Sequence, residues 1–373
     1  MTSKTKKYLL TAVLISIALV FSIKVYRQAT STRTIPLNTK KLAVKLAKKS
    51  INPNILKTPT LDEIFDDKIK DLSSLTRQKL VTLIATGDVI PARSVNLKMH
   101  QYNNFKYPFE KTADILSSAD ITLINLEAPL VKDCPITNAG MIFCGDPQFI
   151  KGLLFAGIDV ANLANNHIGN HGQTGIEQTQ TLLNENEILI SGLDGISYKR
   201  VGETPFAFLG YNGVKPEVDG VNWINKEQIA KDIQEAKLNA DIIVVSFHWG
   251  KEYSAKPVTD PAIAPFDPQE IAHLAVDSGA DLIIGNHPHW IQGVEIYKEK
   301  LIVYAHGNFI FDQMWSQKTR EGVIGKYVFY ENKLIDFAFI PVVINDYAQP
   351  ELLNGEDKDR ILEYIKSMSN NTL

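Results

Sequence analysis

From Leu80 onward, short apolar runs alternate with amphipathic segments of helical period. The runs are VTLIAT, ITLIN, DVANLA, EILIS, FAFLG, DIIVVSF, DLIIG and LIVYA, and the segments between them include PFEKTADILSS, PQFIKGLLFAG, TGIEQTQTLLNEN, KEQIAKDIQEAKL and PQEIAHLAVDSGA. Runs that are apolar throughout are typical of strands buried on both faces, and a helix between two such strands is the usual parallel crossover. The pattern predicts an α/β domain with a largely parallel sheet over residues 80–345.

Two further elements are predicted after the last of these runs. The segment VIGKYVFYENKLIDFAFIPVVI contains two β-rich halves separated by Glu331 and Asn332, which indicates a hairpin that closes a sheet. The stretch KDRILEYIKSM has the period of an amphipathic helix. Residues 346–373 are therefore predicted to form a C-terminal helical tail.

The charge of the chain is distributed unevenly. The first 61 residues contain 12 lysines and arginines and no acidic residue, and the rest contains 27 basic and 42 acidic residues. An acidic body of this kind repels the phosphate backbone of nucleic acids, whereas the basic leader favours an anionic surface. DNA and RNA are therefore not expected as partners.

The N-terminus carries a hydrophobic segment that follows basic residues. Three lysines precede an uncharged run, Tyr8–Ile23, and no small-residue cleavage site follows it. The run predicts a transmembrane signal anchor over residues 8–26, with a cytoplasmic basic segment at 1–7 and a stalk or linker at 27–79. The alternative is a buried helix of a soluble protein.

Two features bear on the side of the membrane that the body occupies. Basic residues lie on both sides of the hydrophobic run, so the positive-inside rule leaves the orientation open. Cys134 and Cys144 are the only cysteines, and they are either a disulfide formed in an oxidising compartment or two unrelated buried thiols. We favour the disulfide, and with it a single-pass protein of the cell membrane with an extracytoplasmic body.

Polar side chains suited to metal binding follow most of the predicted strands. The residues at or just after these strand ends are Asp88, Glu127, Asn165, Asn166, His167, His248, His287, His289, His306 and Asn308. Open α/β sheets bind ligands at this edge, and imidazole nitrogens with carboxylate or carbonyl oxygens are donors for divalent metals. Each residue alone is more often an ordinary core or turn residue. Their joint occurrence at successive strand ends predicts a divalent-metal site.

Six stretches of the chain match a known family in the same order. They are GDVIPAR, NLEAPL, NLANNHIGNHGQTGI, HWGKEY, GADLIIGNHPHWIQGVE and GNFIFDQ. Over residues 80–343 the chain resembles the CapA family of capsule and poly-γ-glutamate synthesis proteins, a branch of the calcineurin-like metallophosphoesterase superfamily. The resemblance implies a four-layer αββα sandwich, a dinuclear metal centre, and a membrane-associated role in making or exporting an anionic envelope polymer.

The same resemblance assigns roles to individual residues. The implied ligands of two divalent ions (Mn, Zn or Fe) are Asp88, Glu127, Asn166, His248, His287 and His289, with Glu127 bridging. His167 is expected to donate a proton to a leaving group, and Arg93 is expected to hold a phosphate or carboxylate. The positions that depart from the family pattern are Ile90, Asn170, His171, Asn286 and His306.

Three functions remain open at this point. The first is a metal-dependent hydrolase that acts on a phosphoester or on a γ-glutamyl amide. The second is an accessory polymer-binding or export factor with a vestigial site, because Ile90 stands where many superfamily members place a His. The third is a nucleotide phosphatase tethered on the cytoplasmic side. The partners implied by the first two are an anionic polymer or phosphoester substrate and a membrane polymer-synthase complex.

Overall fold

The structure is a computed structural model that describes residues 53–65 and 70–369. The predicted basic segment at 1–7 and the predicted anchor at 8–26 lie outside these residues. Within the described ranges, no helix has the length and apolar character needed to cross a membrane.

Two sheets organise the described part of the chain. Its strands are β1 (Leu80–Val89), β2 (Ile121–Leu126), β3 (Val160–Asn162), β4 (Leu189–Ser191), β5 (Ser197–Val201), β6 (Thr204–Asn212), β7 (Ile242–His248), β8 (Leu282–Asn286), β9 (Val294–Tyr297), β10 (Lys300–Val303), β11 (Asn308–Ile310), β12 (Glu321–Tyr330), β13 (Lys333–Asn345) and β14 (Gln349–Leu352). The first sheet has the order β14-β13-β12-β1-β2-β3-β4, with β11 also paired to β1. The second has the order β5-β6-β7-β8-β10-β9.

Helices connect the strands and cover the sheets. They are α1 (Leu61–Ile64), α2 (Ser94–Gln101), α3 (Ala113–Leu116), α4 (Ile150–Phe155), α5 (Gly172–Glu185), α6 (Lys226–Ala236), α7 (Pro268–Ser278), α8 (Gln317–Arg320) and α9 (Gly355–Ser369). Single 3₁₀ turns lie at Pro53–Leu56, Arg77–Lys79, Tyr107–Phe109, Pro147–Phe149 and Ile168–His171.

The sheets pack face to face with helices outside them. Leu83 and Ile121 of the first sheet share one core with Phe206, Val244 and Leu282 of the second. A second core lies between the first sheet and helices α2 to α5, and a third lies between the second sheet and helices α6 and α7. The result is a helix, sheet, sheet, helix stack, which confirms the expected mixed α/β architecture with two sheets and flanking helices.

The predicted largely parallel order holds only for part of each sheet. Strand β1 pairs in parallel with β2 and β11, but it pairs antiparallel with β12. Strands β12 and β13 form the predicted hairpin, in which Tyr330 opposes Lys333 across Glu331 and Asn332. The first sheet is therefore mixed, because the hairpin and β14 extend it on the antiparallel side of β1.

The strand register places polar residues in rows at the ends of the strands. Asp88 of β1 lies opposite Asn125 of β2 and Asn308 of β11. In the second sheet, His248 of β7 lies opposite Asn286 of β8. Because parallel strands end at the same edge, the polar residues of each sheet lie together there, as their positions after the predicted strands indicated.

The described segments on either side of residues 80–345 belong to the same fold. Within the predicted stalk, Leu56 and Leu72 pack against a small core on the hairpin, and Lys70 Nζ donates to Ile335 O at 2.6 Å. Within the predicted tail, β14 adds a strand to the first sheet and α9 packs on the core between the sheets. The backbone N–H of Val294 also donates to Ser369 Oγ at 3.0 Å.

Candidate metal centre

Asp88 lies where β1 comes closest to its neighbours. A Cβ on the preceding Gly87 would lie 2.0 Å from the carbonyl oxygen of Gly307, so glycine is required for this approach. Asp88 is buried, and its Oδ1 accepts from Asn125 Nδ2 at 2.8 Å. Burial raises the pKa of this carboxyl, but the hydrogen bond and charge of His289 outweigh burial and lower the pKa overall. Asp88 is therefore an anionic oxygen donor.

Glu127 follows β2 and is fully buried. Neither of its carboxylate oxygens has a hydrogen-bond partner among the described residues. Burial, together with the nearby charge of Asp88, raises the pKa of this carboxyl well above its ordinary value. A buried carboxylate without partners is costly, and it is retained where it pairs with a cation or a metal.

His248 ends β7 beside this carboxylate. Its Nε2 lies 3.3 Å from Glu127 Oε1 and 2.8 Å from Asn166 Oδ1. Burial lowers the pKa of His248 to about 3, so its imidazole is neutral at neutral pH. A neutral ring nitrogen close to a carboxylate and an amide oxygen is a suitable metal ligand.

His287 and His289 follow β8 with unusual backbone geometry. Their φ angles are +97° and +57°, a region that residues with side chains seldom occupy and that is concentrated at functional sites. Both ring nitrogens of His287 lack a hydrogen-bond partner in the described chain, and burial lowers its pKa well below the ordinary value. His289 Nδ1 lies 3.1 Å from Asp88 Oδ2 and 2.9 Å from Asn308 Oδ1. Burial lowers the pKa of His289, but Asp88 outweighs burial and raises it overall.

These donors form two groups that share one residue. Glu127, His248 and His287 place one ligand atom each within 4.8 Å of one another, and so do Asp88, Glu127 and His289. The unpartnered oxygens of Glu127 and nitrogens of His287 fit a cation, because each would gain a partner. Five of the six predicted ligands therefore converge, and Glu127 belongs to both groups. Their ligation of a metal stays a prediction.

Asn166 and His167 lie on a loop held by the neighbouring amide. Asn165 Nδ2 donates to Leu126 O at 2.9 Å, and its Oδ1 accepts the backbone N–H groups of His167 and Ile168. Asn166, the sixth predicted ligand, thereby reaches His248. Asn165 itself has a structural role in the loop.

The predicted proton donor, His167, lies in an aromatic contact. Its ring stacks on Phe143 with centroids 4.2 Å apart, and its Nδ1 lies 3.0 Å from Asn170 Oδ1. Burial lowers the pKa of His167 to about 4. The imidazole is therefore neutral at neutral pH, with Nδ1 donating to Asn170 and Nε2 carrying the free lone pair.

Arg93 already has a carboxylate partner in the structure. Its Nε donates to Asp312 Oδ1 at 3.1 Å, and its Nη2 contacts the same oxygen. The guanidinium carbon lies 4.9 Å from the ring centroids of both Phe143 and Phe311. The remaining Nη1 donates to Gly140 O at 3.3 Å. The predicted contact between Arg93 and a substrate anion stays a prediction.

A cleft leads from His289 to the surface between these side chains. Its lining includes Arg93, His167, Glu252, Tyr253, His289 and Trp315. Trp315 is 62% exposed and packs edge-on against Tyr253 with centroids 5.1 Å apart. The opening therefore has an aromatic side and carries both a guanidinium and carboxylates.

His306, a candidate from the sequence, and Trp249, which follows His248, lie away from this opening. Trp249 stacks on Phe247 in the core beneath the outer helices and donates to Tyr304 O at 3.0 Å. His306 is buried between the sheets, where its Nε2 lies 2.7 Å from Tyr327 Oη. Neither residue belongs to the two donor groups.

Two site residues are not evident from the sequence. Asn125 orients Asp88 but lies inside the apolar run ITLIN, where only its polar character at the strand end gives a signal. Asp312 pairs with Arg93, but it lies in a loop 219 residues away in the chain. The predicted disulfide between Cys134 and Cys144 is confirmed, with their Cα atoms 5.8 Å apart.

The fold and the donor groups define a class of protein. It is a two-sheet α/β protein with a candidate divalent-metal centre whose residues come from both sheets. Residues 82–313 match the family described as "Bacterial capsule synthesis protein PGA_cap". This match covers more than half of the chain, and the protein belongs to that family. The resemblance to CapA proteins is thereby confirmed.

Two CapA proteins agree with this assignment, and one solved structure also aligns with the chain. The chain is 28% identical over 307 residues to the capsule biosynthesis protein CapA of Bacillus anthracis, covering 76% of this chain and 72% of the relative. It is 29% identical over 277 residues to the PGA biosynthesis protein CapA of Bacillus subtilis, covering 70% of each. A phosphatase of Mycoplasma pneumoniae aligns with a TM-score of 0.49 and 13% identity, over 71% of this chain and 94% of that one.

Proposed function

We propose that the protein is a membrane-anchored, divalent-metal-dependent hydrolase that acts in the synthesis or export of capsule or poly-γ-glutamate. The bond that it cleaves is a phosphoester or a γ-glutamyl amide, and its partners are the anionic polymer and a membrane polymer-synthase complex. The observation that carries this proposal is the buried Glu127 carboxylate, which has no hydrogen-bond partner in the described chain and is shared by two groups of donor residues.

The side chains divide the proposed chemistry among them. Asp88, Glu127, His248, His287 and His289, with Asn166, would hold two divalent ions. Bound ions of this kind supply an activated water and neutralise negative charge on the reacting group.

His167 lies beside that centre and would handle a proton. Its Nδ1 contacts Asn170, so Nε2 is the nitrogen that exchanges a proton with the substrate. Because its pKa is lowered to about 4, His167 must accept a proton before it can deliver one to a leaving group.

Turnover by the full chain in a mild detergent tests the proposal. The chain is stripped with a chelator, reloaded with Mn²⁺, Zn²⁺ or Fe²⁺, and assayed with a phosphomonoester, a phosphodiester and a γ-glutamyl amide. We expect metal-dependent hydrolysis of one class and its loss in Glu127→Gln, which keeps the side-chain shape. Absence of turnover with every metal and substrate would contradict a hydrolase.

A second function is favoured by one observation. Ile90 is fully buried in an apolar cluster, at the position where many superfamily members place a His. A site that lacks this ligand fits a non-catalytic accessory factor that binds or exports polymer. Polymer production by cells that carry Asp88→Ala or His287→Ala separates the two functions. Normal production with a stably folded variant supports the accessory factor, and loss of polymer supports the hydrolase.

The extracytoplasmic location is also part of the proposal. The Cys134–Cys144 disulfide supports it, because disulfides persist in oxidising compartments. Protease added to intact, wall-stripped cells should cleave the body of the protein while a cytoplasmic marker remains whole. Protection of the body would favour a nucleotide phosphatase tethered on the cytoplasmic side.

A further inference from the structure

The Cys134–Cys144 disulfide closes a loop at the mouth of the cleft. The loop carries none of the predicted metal ligands, and three of its side chains, Ile136, Met141 and Ile142, are exposed by 54%, 68% and 72%. A segment with so few buried side chains has little packing energy to hold its conformation. The covalent closure therefore restricts the loop where packing does not.

The last residues of this loop contact both of the side chains that are predicted to act beside the metals. Phe143, next to Cys144, stacks on His167 with ring centroids 4.2 Å apart. Arg93 lies over the same ring at 4.9 Å, and its Nη1 donates to Gly140 O at 3.3 Å. His167 and Arg93 thus share one aromatic neighbour.

Asn170 links the loop to the same histidine through hydrogen bonds. The backbone N–H of Phe143 donates to Asn170 Oδ1 at 2.6 Å, and that oxygen also lies 3.0 Å from His167 Nδ1. A shift of the loop would therefore disturb the face of the His167 ring and its hydrogen-bond acceptor together. Five of the predicted metal ligands do not share this contact, because they lie at or directly after strand ends, and Asn125 and Asn308 contact Asp88 and His289. Asn166, the sixth, lies on the His167 loop, which Asn165 holds.

We propose that the Cys134–Cys144 disulfide and Phe143 are positioning residues of the cleft, which fix His167 and Arg93 for the reaction. Opening the disulfide lowers turnover through these two side chains and leaves metal binding intact. The inference rests on the proposed hydrolase function for its kinetic consequence only. The positioning itself is a property of the folded chain and can be measured without a substrate.

Histidine NMR of the full chain in detergent tests the positioning directly. A trialkylphosphine breaks the S–S bond to give two thiols and is itself converted to the phosphine oxide with oxygen from water. We expect the ring signals of His167 to shift on reduction and in Phe143→Ala, because the ring current of Phe143 is lost. His273, stacked on Tyr297 at 3.8 Å, serves as the unaffected internal reference.

A matched variant controls for general effects on the loop. Ile136 lies in the same loop with an exposed side chain, so Ile136→Ser should leave the His167 signals unchanged. Unchanged His167 signals on reduction of the wild-type disulfide would overturn the proposal. Because reduction acts on the folded wild-type chain, this result does not depend on the folding of a cysteine variant.

Kinetics then test the consequence. We expect Cys134→Ser with Cys144→Ser, and separately Phe143→Ala, to lower kcat/KM by about 5- to 100-fold with unchanged metal content. Combining all three changes should give no further loss, because they act through one contact. If the losses of kcat/KM multiply in the combined variant, or if metal is released, the disulfide and Phe143 do not act by positioning His167 and Arg93. If the wild-type chain shows no turnover at all, the hydrolase function fails, and the His167 signals still decide the positioning.

Discussion

Asn125 shows how a residue that touches no predicted ion can control the site. Its amide donates to Asp88 Oδ1 at 2.8 Å, and its oxygen accepts from Asn162 Nδ2 at 3.0 Å. The amide is therefore fixed at both ends, and it fixes the carboxylate in turn. Groups that orient metal ligands in this way are often as important for affinity as the ligands themselves.

Asn125→Ala should therefore weaken metal binding by about 10- to 100-fold. The measurement is titration of the metal-stripped full chain with Mn²⁺ or Zn²⁺ in a calorimeter. Asn212→Ala is the matched control, because Asn212 is also buried at a strand end, but its side chain bonds only to the backbone of Val214 in the described chain. Equal losses of affinity in both variants would show that Asn125 has no specific role.

At the scale of elements, the pairing of β1 with β11 brings Asn308 beside Asp88. This pairing depends on Gly87, because a Cβ there would overlap the Gly307 carbonyl oxygen at 2.0 Å. Since that oxygen belongs to the backbone, it can move away only if the two strands separate. The Asp88 N–H donates to the same oxygen at 3.0 Å, so separation also breaks a strand hydrogen bond.

Gly87→Ala should accordingly lower the free energy of unfolding by about 3 kcal/mol or more. Urea unfolding followed by circular dichroism measures the loss. Gly220→Ala provides the comparison, because its Cβ meets open space and only its φ of +78° is unfavourable. That control should lose about 1–2 kcal/mol. A Gly87→Ala variant no less stable than the control would mean that β11 does not need to approach β1 closely.

The elements differ in how well the sequence predicts them. Strands β1, β2, β7 and β8 coincide with long apolar runs, because burial on both faces demands apolar side chains throughout. The apolar runs do not predict β11 or β14, which contain three and four residues and gain their conformation from the strands beside them. Tertiary pairing decides such short strands, and local pattern does not.

The residues of the candidate site also differ in how well the sequence predicts them. Donors such as Asp88 and His248 are recognisable because each directly follows or ends an apolar run. The pairing of Arg93 with Asp312 is not recognisable, because it joins two loops through contacts that only the folded chain creates. Neither the spacing of residues nor the composition of the chain predicts a contact between two loops that are distant in sequence.

The turn between β13 and β14 ties the edge of the first sheet to α2. Asp346, with a φ of +45°, contacts Lys98 Nζ and accepts hydrogen bonds of 2.8 Å from the hydroxyls of Tyr102 and Tyr107. Burial raises the pKa of Asp346, but these hydrogen bonds outweigh burial and lower the pKa overall. Its stabilising contribution is therefore present above the ordinary pKa of an aspartate and is lost as the pH falls through the lowered pKa.

Asp346→Asn keeps a residue that tolerates positive φ, but it removes the charge and one acceptor. We expect it to lower the free energy of unfolding by about 1 kcal/mol at pH 7, at the low end for bonds to a charged group because the side chain is partly exposed. The difference from wild type should shrink below about pH 5. Urea unfolding across this pH range measures it, with the exposed Asp133→Asn, also at positive φ, as control. A difference independent of pH would exclude the charge as its cause.

At the scale of the whole molecule, the donor groups join the two sheets. Asp88 and Glu127 come from the ends of strands in the first sheet, and His248, His287 and His289 come from the second. The core that the two sheets share is built mainly of apolar side chains, and the buried contact of 2.7 Å between His306 Nε2 and Tyr327 Oη lies there as well. A cation bound there would hold both sheets, and its ligands would include the Glu127 oxygens and His287 nitrogens that otherwise have no hydrogen-bond partner among the described residues.

Metal should therefore stabilise the entire fold and not only the cleft. With Mn²⁺ or Zn²⁺ at about 100 times its Kd, the free energy of unfolding should rise by about 2.7 kcal/mol. Glu127→Gln should lose this increase. In excess chelator the same variant should be at least as stable as wild type, because it removes a buried carboxylate whose oxygens have no hydrogen-bond partner within the described chain. Denaturant unfolding of both chains, with metal and with chelator, measures all four values.

Two outcomes would contradict this prediction. A metal-induced increase in stability that survives in Glu127→Gln would place the stabilising ion elsewhere in the molecule. A Glu127→Gln variant less stable than wild type in chelator would show that the carboxylate has a stabilising partner of its own.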